Sequence, residues 1–177
     1  MKRENVVLTK VTRPRLQLTY QRTELYRLLD ELNATPLIMV NGLPGSGKTT
    51  LLSSYVESRK IPYLWYQVDR GDELEVARAI ATEPELLLLD EPFGGLSPAE
   101  TELMAKSIQR LHKGGRFGRL HSEGPAMIIV EHKLQQLMKI VDRIIVLNFG
   151  TVIADGKPEE IVSNKRVIEA YLGEKEL

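Results

Sequence analysis

Gly42-Leu43-Pro44-Gly45-Ser46-Gly47-Lys48-Thr49 matches G-x-x-x-x-G-K-[ST] at every fixed position. An apolar run, Leu37-Ile38-Met39-Val40, precedes it, and Thr50-Leu51-Leu52 follows and can open a helix. The glycines let the backbone curl so that successive N–H groups point at phosphate oxygens. The helix N-terminus adds its partial positive charge. Lys48 then reaches the β- and γ-phosphates and Thr49 ligates Mg²⁺, so Gly42 through Thr50 is the nucleotide-binding segment. A glycine-rich turn that binds nothing has no need of Lys48 and Thr49 in register.

Leu86-Leu87-Leu88-Leu89 delivers Asp90 and Glu91 at the end of a buried strand. Asp90 is placed to hold Mg²⁺ through water, and Glu91 to act as general base toward an attacking water. Two solvated acids at a strand end would mean little alone; downstream of an intact phosphate loop they complete a site. Ile128-Ile129-Val130-Glu131-His132 is the third piece. A lone histidine is usually structural. The shared strand-end placement gives His132 a role in contacting the γ-phosphate and positioning water. His112 and His121 are assigned none.

These pieces need a scaffold. Short runs rich in Leu, Ile and Val cover 37–41, 63–68, 86–90, 126–130 and 143–148, with little polar alternation. Such runs suit parallel strands buried on both faces. Helical patterns cover 19–32, 48–59, 72–82, 97–113 and 132–140. Ser97-Pro98-Ala99-Glu100 supplies an N-cap, a proline at the first helical position and a capping box. Residues 12–15 read as an extended lead-in and 113–125 as a basic surface loop. Asn148-Phe149-Gly150 predicts a hairpin turn into 151–154, a short helix starts at Pro158, and 164–172 forms the last one. The expected fold is α/β: a three-layer α/β/α domain over 1–177, with a five-stranded parallel core sheet and a small C-terminal hairpin.

The 177 residues suffice for one real core. Lys+Arg 24 against Asp+Glu 24 leaves no electrostatic footprint for nucleic acid or anionic lipid. The absence of cysteine excludes disulfides and thiolate metal sites. No apolar run approaches the roughly 18 residues of a spanning helix, and Met1 to Asn5 lacks a signal peptide's apolar stretch. A soluble, cytoplasmic protein is expected.

Two family resemblances follow. From about Glu75 to Leu177 the chain resembles the C-terminal half of an ABC-transporter ATPase. The carrying residues are Ala77-Arg78-Ala79-Ile80-Ala81, Leu86 to Pro92, Gly95-Leu96-Ser97-Pro98-Ala99-Glu100-Thr101 and Ile129 to His132. The tail, with Val141 to Leu147, Gly156-Lys157-Pro158-Glu159-Glu160-Ile161 and Val167 to Gly173, is most similar to branched-chain amino-acid importers. The resemblance implies Asp90 and Glu91 as the Walker B pair, Gly95 to Pro98 as the D-loop and His132 as the switch histidine. From about Val11 to Asp72 the chain resembles the ATPase of STAND-type regulators of the LuxR/MalT kind. Arg13-Pro14, the helix of 21–32, the Walker A loop and Ile61-Pro62-Tyr63-Leu64-Trp65-Tyr66-Gln67-Val68-Asp69 carry that likeness. A join near 69–75 makes the chain a chimera, natural or artificial. Both families imply ATP, and the strand order 143–148, 37–41, 126–130, 86–90, 63–68.

The ABC pattern is incomplete. Asp90 follows Lys48 by only 42 positions, so the helical subdomain is missing. Arg70-Gly71-Asp72-Glu73-Leu74-Glu75 stands where the signature LSGGQ would be, and no adenine-stacking aromatic has a clear match. Gln67 is read as a structural residue. The leading function is therefore an ATP- and Mg²⁺-binding P-loop NTPase with slow ATP hydrolysis. Its alternatives are a truncated ABC-transporter ATP-binding subunit, or a nucleotide-binding scaffold without turnover. A regulator fragment ranks last, since no DNA-binding helix pair or basic patch is present. Membrane transporter subunits are partners by resemblance alone, because the docking elements are absent. No ATP-driven dimer is expected.

Overall fold

The computed structural model describes residues 22–30, 37–67, 84–112, 126–132 and 137–172. Six strands form one sheet: β1 (Leu37–Gly42), β2 (Tyr63–Gln67), β3 (Leu86–Asp90), β4 (Ala126–Glu131), β5 (Arg143–Asn148) and β6 (Thr151–Gly156). Their order is β2-β3-β4-β1-β5-β6. The first five are mutually parallel and β6 pairs antiparallel with β5. The five core strands thus stand in the order expected for them.

The expected hairpin forms after Asn148. Its second strand, β6, adds a sixth, antiparallel edge strand to the sheet beside β5. Phe149 (φ 43°) and Gly150 (φ 77°) link Asn148 to its partner Thr151. Positive φ at both central residues makes a tight turn whose twist matches the flanking strands, so β6 continues the ladder.

Each core strand is buried on both faces, and alternate residues serve opposite sides. Ile38, Val40, Leu86, Leu88, Ile128, Val130, Ile145 and Leu147 pack with α1 (Thr23–Leu29) and α2 (Lys48–Arg59) through Tyr26, Leu29, Leu51, Leu52, Tyr55 and Val56. Leu37, Met39, Leu87, Leu89, Met127, Ile129, Ile144 and Val146 pack with α3 (Pro98–His112), α4 (Pro158–Val162) and α5 (Lys165–Leu172) through Met104, Ile108, Ile161 and Val167. That is the three-layer α/β/α arrangement. Each fully buried Leu or Ile contributes roughly 1.5–3 kcal/mol of transfer free energy.

Helix ends match their local chemistry. At the start of α3 the Ser97 N–H donates to Glu100 Oε2 at 2.7 Å, and the Glu100 N–H donates to Ser97 Oγ at 3.3 Å. The capping box is formed. α1 is pinned to α2 by the Tyr55 hydroxyl on the Leu29 carbonyl (3.1 Å) and by Arg59 on Asp30 (2.7 and 2.8 Å). The expected helix over 72–82, the loop of 113–125, the lead-in of 12–15 and the join near 69–75 lie outside the described residues, as do residues 133–136 of the helix expected over 132–140.

Candidate nucleotide site

The site lies at the carboxyl ends of β1, β3 and β4, where α/β sheets place their ligands. β1 ends in Gly42, and the chain turns back to enter α2. A Cβ at Gly42 would strike the Leu147 carbonyl of the neighbouring strand and come within 2.7 Å of Ser46 Oγ. Gly47 caps α2 at φ 85°, a left-handed conformation that favours glycine. The Ser46 N–H closes the turn on the Leu43 carbonyl at 3.1 Å. Within the loop formed by Gly42, Leu43, Pro44, Gly45, Ser46 and Gly47, the buried Ser46 hydroxyl has no hydrogen-bond partner. A buried donor without a partner calls for one, and a phosphate oxygen in the cradle would serve.

Lys48 folds back over the loop. Its Nζ donates to the Gly42 carbonyl at 2.7 Å and to the Leu43 carbonyl at 2.9 Å. Burial pushes its pKa below the ordinary lysine value, while Glu91, Asp90 and Glu131 oppose that shift. Thr49 and Thr50 stand in the first turn of α2, with the Thr50 carbonyl accepting from Ser54 Oγ at 2.9 Å.

β3 brings Asp90 to Thr49. Thr49 Oγ1 lies 3.4 Å from Asp90 Oδ2 and 3.5 Å from Oδ1. Burial, and secondarily the Glu91 carboxylate, push the Asp90 pKa up to about 6. Among the described residues no group of three or more His, Cys, Asp or Glu forms a metal cage. A hydroxyl beside one carboxylate instead suits Mg²⁺, which retains waters and takes phosphate oxygens as further ligands. The residues present therefore fit a Mg²⁺–nucleotide.

Glu91 follows Asp90 at φ 49°, with its N–H on the Val130 carbonyl at 2.9 Å and its side chain exposed. The unfavourable backbone conformation turns the carboxylate out of the sheet into the crevice. His132 meets it there, Nδ1 lying 3.7 Å from Glu91 Oε1 and 3.3 Å from Glu131 Oε2. The sequence-derived pieces thus converge on one crevice: the phosphate loop, Asp90, Glu91 and His132. Gln67 stands in register with Asp90 at the end of β2, exposed. His112 lies at the opposite pole, 3.8 Å from Asp142, whose carboxylate accepts the Leu37 N–H at 3.2 Å. His121 lies outside the described residues.

The structure adds supporting residues that sequence reasoning missed. Glu131 is fully buried and accepts the Phe93 N–H at 3.3 Å and the His132 N–H at 2.7 Å. It ties the turn after Glu91 to the base of His132. Asn41 Nδ2 donates to the Glu131 carbonyl at 3.0 Å, and the Tyr171 hydroxyl hydrogen-bonds Asn41 Oδ1. A polar residue ending an apolar strand, as Asn41 and Glu131 both do, was the available signal.

Known proteins resemble this chain. Residues 151–176 match the family model described as branched-chain amino acid ATP-binding cassette transporter. The high-affinity branched-chain amino acid transport ATP-binding protein LivG of Salmonella typhimurium is 43% identical over 106 residues, 59% of this chain and 38% of the relative. A probable branched-chain amino acid transport ATP-binding protein LivG of Archaeoglobus fulgidus is 40% identical over 124 residues, 67% of this chain and 45% of the relative. A solved inward-facing conformation of a metal-chelate type ABC transporter aligns at TM-score 0.58 over 77% of each chain, at 16% identity, a likeness of fold alone. Among the described residues no helix is long and apolar enough to cross a membrane. The chain has an α/β fold of the P-loop NTPase kind, resembles branched-chain amino-acid ABC ATP-binding proteins, and spans 38–45% of the length of those two relatives.

Proposed function

We propose that this chain binds ATP with Mg²⁺ at the crevice and hydrolyses it, as an ATP-binding component akin to those of branched-chain amino-acid ABC transporters. The observation that carries the reading is the convergence of Lys48, Thr49 and Asp90 around a loop with a partnerless buried hydroxyl. Mg²⁺, when bound, neutralises charge on the β- and γ-phosphate oxygens. Loop N–H groups and Lys48 hold the phosphates. Asp90 and Thr49 orient the metal. Glu91 takes the proton of the attacking water, and His132 contacts the γ-phosphate beside it.

The sequence similarity favours a transporter subunit, working with membrane components, over a free-standing NTPase. A nucleotide-binding scaffold without turnover is the second reading, favoured by the lack of LSGGQ between Lys48 and Asp90. Recombination near residues 69–75 with a STAND-type ATPase is the origin we infer for that short interval. Titration of ATP–Mg²⁺ into the parent and Lys48→Ala tests the site. The variant should lose at least tenfold in affinity, about 1.4 kcal/mol or more. Unchanged binding would place the nucleotide elsewhere.

A further inference from the structure

Asp90 ends β3 and His132 follows β4, and both strands lie on one side of β1 in the sheet. If the site holds a nucleotide, as proposed above, its metal and γ-phosphate end points to that side. Its nucleoside end then extends the opposite way, toward β5 and β6.

On that side one guanidinium joins the phosphate loop to the hairpin. Arg22 Nη1 donates to the Gly150 carbonyl at 3.1 Å. A Cβ added at Gly47 would meet the same Nη1 at 3.7 Å, and one at Gly150 would meet Nη2 at 2.9 Å. Arg22 itself is fixed at the start of α1, its carbonyl accepting the Tyr26 N–H at 3.0 Å. The hairpin turn is therefore held a guanidinium's width from the loop that grips the phosphates.

Phe149 is the other residue of that turn. It is 91% exposed at φ 43°. Left-handed turn positions favour Gly, Asn and Asp, and an exposed Phe gains nothing from packing. Neither the fold nor the turn explains the ring, and an unexplained conformational outlier beside a ligand crevice points to function.

We propose that Phe149 is the stacking platform for the purine base of the bound nucleotide, held in place by the Arg22–Gly150 contact. Aromatic rings stack on a base's π-face, and an exposed ring at the nucleoside end supplies that surface.

Calorimetric titrations with ATP–Mg²⁺ and with inorganic tripolyphosphate–Mg²⁺, which has no base, test the proposal on the full chain. The parent should bind ATP more tightly than tripolyphosphate. Phe149→Ala should lose about tenfold or more for ATP, within the range of base–aromatic stacking, with tripolyphosphate unchanged. Phe149→Trp should keep ATP affinity, with indole emission that responds to ATP and not to tripolyphosphate. Undiminished ATP binding by Phe149→Ala would overturn the platform, as would an equal loss for both ligands. A parent that binds tripolyphosphate as tightly as ATP overturns the platform and leaves the phosphate site standing. A parent that binds neither overturns the nucleotide site and the platform with it.

Discussion

Thr49 Oγ1 lies 3.4 and 3.5 Å from the two carboxylate oxygens of Asp90, across 41 positions of sequence. Two parallel strands and a helix N-terminus bring them together, and on the function proposed above the pair would hold the divalent cation. Asp90 should therefore make nucleotide binding Mg²⁺-dependent. Asp90→Asn should bind ATP with little response to Mg²⁺, measured by titration with and without the metal. A parental Mg²⁺ response in the variant would remove Asp90 from the metal site.

The same residue predicts a pH dependence. Its folded pKa is raised from 3.8 to about 6, chiefly by burial. Between those values the folded state holds a proton that the unfolded state has released, so stability falls as pH rises through that window. In metal-free protein, Asp90→Asn should gain stability relative to the parent from pH 4 to pH 7.5, on the order of 2 kcal/mol. Urea midpoints at both pH values measure it. An advantage that is the same at both ends would mean Asp90 is not the titrating group.

Glu91→Gln keeps the side chain's shape and removes the carboxylate that faces His132 Nδ1 at 3.7 Å and that we propose as the base. Phosphate release should fall about a hundredfold or more. ATP should bind as well or better, since one negative charge leaves the crevice. Release at the parental rate would assign turnover to another residue or to a contaminant.

ATP should not drive dimerisation. In ABC dimers each signature loop covers the partner's γ-phosphate, and Asp72, Glu73 and Glu75 against Arg70 would repel a triphosphate. Sedimentation of Glu91→Gln with and without ATP–Mg²⁺ should show one unchanged species. A monomer-to-dimer shift on adding nucleotide would refute this and argue for a composite site of another kind.

The reciprocal hydrogen bonds of Ser97 and Glu100 start the helix that follows the turn after Glu91. Ser97→Ala should cost about 1 kcal/mol, read as a lower denaturant midpoint. A midpoint equal to the parent's would show that the cap contributes nothing to stability.

What the sequence by itself determined follows from local physics. Leu37 to Val40, Leu86 to Leu89 and Ile128 to Val130 are apolar without alternation, which only strands covered on both faces tolerate. The phosphate loop was legible because a tight curl under Lys48 restricts which residues can stand there. Asp90, Glu91 and His132 were legible as neighbours because polar residues at the carboxyl ends of adjacent parallel strands meet at one edge of the sheet. Tertiary structure decided the rest. Glu131 reads as one more strand-end acid, yet it is fully buried, and its role depends on the Phe93 N–H arriving from another strand's turn. Arg22 reaches Gly150 across 128 positions, and Tyr171 reaches Asn41 across 130. No periodicity records such meetings, because they depend on which elements the sheet order makes neighbours. That β6 joins the main sheet follows likewise from φ 43° and 77° at Phe149 and Gly150, a turn geometry the residue types alone do not impose on phenylalanine.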